Sequence, residues 1–179
     1  MKDLQTEPRD PAIRAVRRTF IDAYGRIRGL VHKITDGLDA DALAFRPDAE
    51  ANSIGWLVWH LTRVQDDHVA EIAGREQAWA TWADRFGMEP DPLNTGYGHT
   101  TDEVASFRAD AGVLAEYHDA VHDQTIAYLH TITPDELDRI IDYGWDPPVS
   151  VGVRLVSVIG DDLQHAGQAA YVKGLLERR

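Results

Sequence analysis

The sequence predicts an all-α protein built as a four-helix bundle. Three observations carry that expectation. Four long segments repeat apolar residues at three- and four-residue steps, the period of an amphipathic helix. No segment sustains the every-other-residue alternation and hairpin turns of a sheet. Capping residues stand where the helical periodicity begins and ends. Long helices joined by loops imply an up-down bundle, and the longer connections leave room for a crossover. The 179 residues suit one domain spanning 1–179 with a single core.

The first helix opens at Asp10, an N-cap followed by Pro11 at the first helical position, and runs to near Gly37. Val16, Phe20, Ile27, Leu30, Val31 and Ile34 form its apolar stripe. A connector, GLDADALAFRPDAEANS, follows, with Leu38, Leu43 and Phe45 expected to tuck against the bundle. The second helix begins after Asn52 or Ser53, reads IGWLVWHLTRVQDDHVAEIAG and closes at Gly74. Residues 75–99 form a long connection with Trp79, Trp82, Phe86 and the turn-rich GMEPDPLNTGYGH. The spacing of Thr100 and Glu103 predicts a capping box that starts the third helix, which runs through Leu114, Tyr117, Val121 and Tyr128 to about Ile132. Thr133-Pro134-Asp135-Glu136 starts a short turn of helix, YGWDPPVS reads as a loop, and the last helix runs from about Ser150 to the C-terminus.

Composition removes several function classes. There is no cysteine, so disulfides, thiolate metal ligands and a cysteine nucleophile are out. A formal net charge of −12 and scattered basic residues argue against a nucleic-acid partner. No run approaches the ~18–20 apolar residues of a membrane span, and the start MKDLQTEPRDP lacks the apolar stretch of a signal peptide. A cytoplasmic protein, monomer or homodimer, is expected. Arginine outnumbers lysine fifteen to three, a bias of GC-rich coding. No phosphate-binding glycine loop, HExxH or GxSxG is present, so nucleotide-binding and serine-hydrolase readings have no footing.

The chemistry-bearing pattern lies in the last helix. On a wheel of about 100° per residue, Val153, Val156, Leu163, Gly167, Ala170 and Gly174 cover one side, and Leu155, Val158, Ala169 and Leu176 much of another. Between them runs a polar stripe of Arg154, Asp161, His165 and Gln168, so the helix reads as buried on most sides. The stripe is either a hydrogen-bonded seam or a site. Asp161 and His165 stand four residues apart, which puts their Cβ atoms about 5–6 Å from each other on one face. A carboxylate and an imidazole so placed can converge on one ion, given a third ligand from another helix. The second helix offers His60 or His68, and either can also be an ordinary core histidine. The rival pair His118 and His122 falls off the centre of its helix's apolar stripe beside Asp119 and Asp123, and both are expected to be solvated. His32, His99 and His130 have no ligand-spaced partner and read the same way.

NSIGWLVWHLTRV in the second helix and VRLVSVIGDDLQHAGQAAYVKGLL in the last resemble the DinB-like superfamily of four-helix metalloenzymes. The likeness is closest to its actinobacterial mycothiol S-transferase branch, related to the metal-binding domain of mycothiol-dependent maleylpyruvate isomerase. It covers nearly the whole chain in helix order and is most specific at WHL and at D-x-x-x-H-A-G-Q. The resemblance implies a metal held by His60, Asp161 and His165. Many members have histidine where Asp161 stands, and some have histidine at Ser157 and glutamate at Gly160. These departures bear on the surroundings of the metal rather than on its ligands.

Two histidines and one carboxylate leave coordination positions open, as in catalytic zinc sites. The resemblance then implies a zinc-dependent transferase of a detoxification type, conjugating a low-molecular-weight thiol, mycothiol, to an electrophilic small molecule through a metal-bound thiolate. Arg154 and Gln168 are candidates for binding the thiol or substrate, and Trp79, Trp82 and Tyr97 for core packing or for a loop covering it. A water-activating hydrolase on the same site, or a non-catalytic metal-binding protein, are the alternatives.

Overall fold

The first helix of the computed structural model, α1 (Pro11–Thr35), starts as its sequence predicts: the Asp10 carboxylate accepts the Ala12 N–H at 2.8 Å and Pro11 fills the first turn. The structure describes residues 10–179, so the charged start read above against a signal peptide lies, for residues 1–9, outside them. In the connector a short helix, α2 (Ala40–Leu43), buries Leu43, with Leu38 and Phe45 packed against the core. The second long helix, α3 (Ile54–Ala73), is capped by Ser53, which accepts the Trp56 N–H, and ends at Gly74 with φ 63°, a left-handed turn that glycine adopts freely. Then come α4 (Trp79–Trp82), a 3-10 turn (Ala83–Phe86) and α5 (Thr101–Ser106).

The third long helix differs from the expectation. The capping box of Thr100 and Glu103 is present, but it caps the short α5, which stops at Ser106. The long helix, α6 (Ala111–Leu129), starts five residues later with its own cap, Asp110. The reason is packing: Phe107 turns into the core with an extended backbone, and the chain changes direction there. After α7 (Pro134–Asp138) comes a small antiparallel hairpin, β1 (Ile140–Asp142) with β2 (Val149–Ser150), too short to register as alternation; the segment YGWDPPVS read as a loop supplies its turn and second strand. The last helix, α8 (Val151–Leu176), is capped by Ser150.

Cross-helix bonds fix the directions. Arg17 near the start of α1 donates to the Ile132 carbonyl beyond the end of α6, so these two run antiparallel. Lys173 near the end of α8 donates to the carbonyls of Lys33, Ile34 and Asp36, so α1 and α8 run parallel. Thr62 meets His118 and Gln65 meets Thr125, making α3 and α6 parallel. His60 faces His165 while Arg154 meets His68, making α3 and α8 antiparallel. The order is therefore up-down-down-up. Joining the parallel α3 and α6 requires a crossover along the length of the bundle, about 30 Å for a helix of this size. Residues 74–110 supply it, and they carry the 90–99 stretch past α3.

The core is apolar and aromatic: Trp59, Trp79, Tyr24, Tyr117 and Leu57 are all buried. One expectation for α8 fails. Val153, Val156 and Leu163 are 54%, 60% and 43% exposed, so that face looks outward. The buried line is Leu155, Val158, Asp162, Ala166, Ala169 and Val172. The wheel alone offered two apolar sides, and only one has helices to pack on. Among the described residues no helix is long and apolar enough to cross a membrane.

Candidate metal centre

Three side chains from two helices meet at one point. α3 brings His60, and α8 brings Asp161 and His165 from successive turns. One ligand-type atom from each lies within 4.8 Å of the others. Asp161 Oδ1 is 3.6 Å from His165 Nε2, and the two imidazole rings stand edge to face with centroids 4.8 Å apart.

What orients each ring decides what the cluster can hold. His60 Nδ1 lies 2.5 Å from the Thr95 carbonyl oxygen, which can only accept, so Nδ1 carries the hydrogen and Nε2 keeps a lone pair. The ring is also stacked on Trp56, 4.7 Å between centroids at 13°. His165 Nδ1 meets Gln168 Oε1 at 2.8 Å, which assigns its hydrogen in the same way. Both imidazoles thus turn Nε2 toward the cluster in the tautomer that metal ligation requires. Asp161 Oδ2 is buried with no hydrogen-bond partner among the described residues, an acceptor waiting for a cation. The 3.6 Å separation is close to the ligand–ligand edge of about 3.3 Å in a tetrahedron with bonds of about 2.0–2.1 Å. The residues present fit a divalent cation.

Burial pushes the His60 imidazole below its ordinary value, and the Thr95 carbonyl only partly offsets it. His165 is raised, chiefly by the Asp161 carboxylate beside its Nε2. Burial alone would raise Asp161, but the neighbouring His165 imidazole outweighs it and holds the carboxyl below the usual range. Next to it, Asp162 is fully buried with both oxygens unpartnered among the described residues, and burial followed by the Asp161 charge pushes its carboxyl far up.

The cluster opens into a cavity of about 370 Å³ lined by Asn52, Trp56, Gly96, Tyr97, Gly98, His99 and Val104. Of these only Tyr97 was singled out in the sequence as a candidate loop residue. It stands 94% exposed at the rim, whereas Trp79 is buried in the core. His99, expected to be solvated, instead stacks on Trp59 at 5.7 Å and accepts the Trp56 indole N–H at 3.2 Å. Its signal was weak: a histidine after a glycine-rich loop has no helical spacing to read.

The other histidines sort cleanly. His68, the alternative to His60, lies outside the cluster. Arg154 Nη1 sits 3.2 Å from its Nδ1, and Nη2 donates to Asp142 Oδ2 at 3.5 Å. Arg154 therefore bridges α3 and the hairpin beside the centre rather than lining its cavity. His118 and His122 correct the sequence reading, because both are buried. The apolar stripe of α6 faces α1 and α3 together, so residues at its margin are covered as well. His118 Nδ1 pairs with Thr62 Oγ1 at 3.0 Å, and burial drives its imidazole down to about 3. His32, at 2.8 Å from Asp119, and His130 remain exposed.

Fold and cluster together define a helical-bundle protein with a candidate two-histidine, one-carboxylate metal centre. The chain belongs to the DinB superfamily, whose profile matches residues 23–169, a span that includes all three candidate ligands. That superfamily includes metal-dependent enzymes. Among solved structures the chain is similar to a conserved protein from Enterococcus faecalis, with a TM-score of 0.84 and 26% identity over 92% of this chain and 98% of that one. No functionally curated protein matches the chain.

Proposed function

We propose that the protein is a metal-dependent S-transferase that joins a low-molecular-weight thiol to an electrophilic small molecule. The observation that carries this is the paired tautomer assignment: Thr95 and Gln168 occupy Nδ1 of His60 and His165, leaving two Nε2 atoms and the Asp161 carboxylate facing an open cavity. A two-nitrogen, one-oxygen set suits zinc and leaves room for an exogenous ligand. When bound, the cation would lower the pKa of a thiol so that it reacts as thiolate near neutral pH.

The chain's own residues would do the rest. Having no cysteine, it must take its thiol from a small molecule. Mycothiol is the proposed donor on the strength of the motif likeness in α3 and α8. Asp161 keeps the centre from accumulating excess positive charge, while Trp56 and Val104 wall one side of the cavity against water. In the reaction the thiol sulfur forms a bond to the electrophilic carbon. The thiol proton passes to solvent, and the electron pair of the broken carbon–leaving-group bond departs with the leaving group.

The test is conjugation of mycothiol to a monohalobimane or an activated aromatic halide. Zinc-loaded protein should accelerate it, apo-protein should not, and refilling should restore the rate. Thiol-independent hydrolysis of an ester or amide panel by the loaded protein would instead support the water-activating reading. Equal rates with apo- and loaded protein would reject metal-dependent transfer.

A further inference from the structure

Residues 92–99 lie across the mouth of the centre, held by their backbone carbonyls and by the His99 side chain, which stacks on Trp59 and accepts the Trp56 indole N–H. Leu93 and Tyr97 are 84% and 94% exposed, so these two side chains add little to the docking. Its carbonyls are instead gripped by one face of α3. The fully buried Arg63 donates to the Pro92 and Asn94 carbonyls at 2.9 and 3.0 Å, and His60 donates to Thr95. At Gly96 the backbone presses onto the aromatic wall with φ 89°. A Cβ there would lie 2.8 Å from Trp59, 3.0 Å from Trp56 and 3.1 Å from His60 Nδ1. Gly98 has a similar φ of 80°, yet a Cβ there would meet nothing within 4 Å.

We propose that docking of residues 92–99 and metal binding at His60, Asp161 and His165 are thermodynamically linked, with Thr95 and Gly96 acting as positioning residues for His60. The proposal rests on the reading of that cluster as a metal centre. The link runs through one imidazole. Ligation through Nε2 requires hydrogen at Nδ1, and the docked Thr95 carbonyl selects that tautomer and holds the ring plane against Trp56. A cation on Nε2 in turn makes the Nδ1–H a stronger donor to the carbonyl. Linkage is reciprocal, so whatever factor the docked loop adds to metal affinity, the metal adds to loop docking. A surface loop held by a countable set of contacts opens locally without global unfolding, which lets one strengthened bond shift its population. The same loop carries Tyr97 at the cavity rim, so metal occupancy also shapes the entrance that an incoming molecule meets.

Full-length protein is titrated with zinc, and backbone hydrogen exchange over residues 93–99 is measured with and without the ion. Zinc should slow exchange in this loop at least about tenfold in the wild type and leave it unchanged in Asp161→Ala, which keeps His60 but lacks a ligand. Gly96→Ala should weaken zinc binding by roughly ten- to a hundredfold, the usual effect of disturbing a group that orients a metal ligand. Gly98→Ala, with comparable backbone strain but no contact to His60, should bind within about threefold of wild type. Helix content and apo melting of both variants separate these effects from a failure to fold. Stoichiometric zinc binding with unchanged loop exchange, or equal weakening by Gly96→Ala and Gly98→Ala, would overturn the linkage and leave the metal centre standing. A wild-type chain that binds no zinc would remove both.

Discussion

Asp161 and His165 stand one turn apart on α8 with Oδ1 3.6 Å from Nε2, and His165 turns its other nitrogen to Gln168 Oε1 at 2.8 Å. The imidazole is therefore held from two sides by one helix, and only its orientation toward α3 is left for packing to decide.

Gln168 is exposed, so its side chain contributes little to the fold. Gln168→Ala should leave the melting temperature unchanged and weaken zinc binding by about ten- to a hundredfold through loss of the bond that orients His165. A competition titration against a chromophoric chelator reads this directly. Unchanged affinity would mean that α8 packing alone positions the ring.

Zinc affinity should fall with pH earlier than an ordinary histidine would predict. A protonated imidazole cannot ligate, and the Asp161 carboxylate beside it raises the His165 value above the ordinary one of about 6.5. Proton competition thus begins at His165, above about pH 6.5, while the lowered His60 enters only further down. Apparent affinity should decline about tenfold per pH unit once the first proton competes. At saturating zinc the retention midpoint lies lower, below about 6.5, because the bound ion holds both rings neutral. Affinity that stays flat from pH 8 to 5 would contradict histidine ligation.

His118 makes the fold itself acid-sensitive. Its folded value is about 3 against about 6.5 unfolded, so the unfolded chain binds one more proton between those limits. Stability is complete above the unfolded value and falls as pH drops toward the folded one, by about 1.4 kcal/mol per unit from this group. His118→Gln should reduce the slope of apo-protein unfolding free energy between pH 6 and 4 by about that amount. Parallel wild-type and variant slopes would show that His118 titrates normally.

Arg63 is fully buried, donating to Asp66, Tyr117, Gln77 and two loop carbonyls while its guanidinium lies 4.9 Å from the Trp79 ring centroid. Arg63→Ala leaves Asp66 and those carbonyls without their cationic partner and should cost about 3–5 kcal/mol. At about 2–4 °C per kcal/mol for a chain of this size, the melting temperature should drop by at least about 6 °C. Lysine should not restore it, since a single ammonium cannot span the fork of acceptors.

Much of this was legible in the chain. The caps at Asp10 and Gly74 are local chemistry and lie where the sequence puts them, and Ser53 and Ser150 fall at the helix starts it places. The same holds for the four-residue step between Asp161 and His165. What periodicity could not show was which neighbour covers a face. Val153, Val156 and Leu163 are as apolar as Leu155 and Val158, yet the former meet solvent. His118 lies at the margin of a stripe, and only the combined coverage by α1 and α3 buries it. The break at Phe107 needed knowledge of the core it turns into. Thr95 and Gly96 were invisible for a different reason: their role depends on a crossover connection passing His60, which no local pattern encodes.

The central claim is that His60, Asp161 and His165 form a metal centre, and metal content after dialysis tests it most directly. Wild-type protein loaded with zinc and dialysed against metal-free buffer should retain about one ion per chain by atomic emission. His60→Ala, Asp161→Ala and His165→Ala should each lose most of it, while His68→Ala and the double variant His118→Ala with His122→Ala should retain it if they fold. Loss in His68→Ala with retention in His60→Ala would contradict the assignment, as would a wild-type chain that emerges without metal.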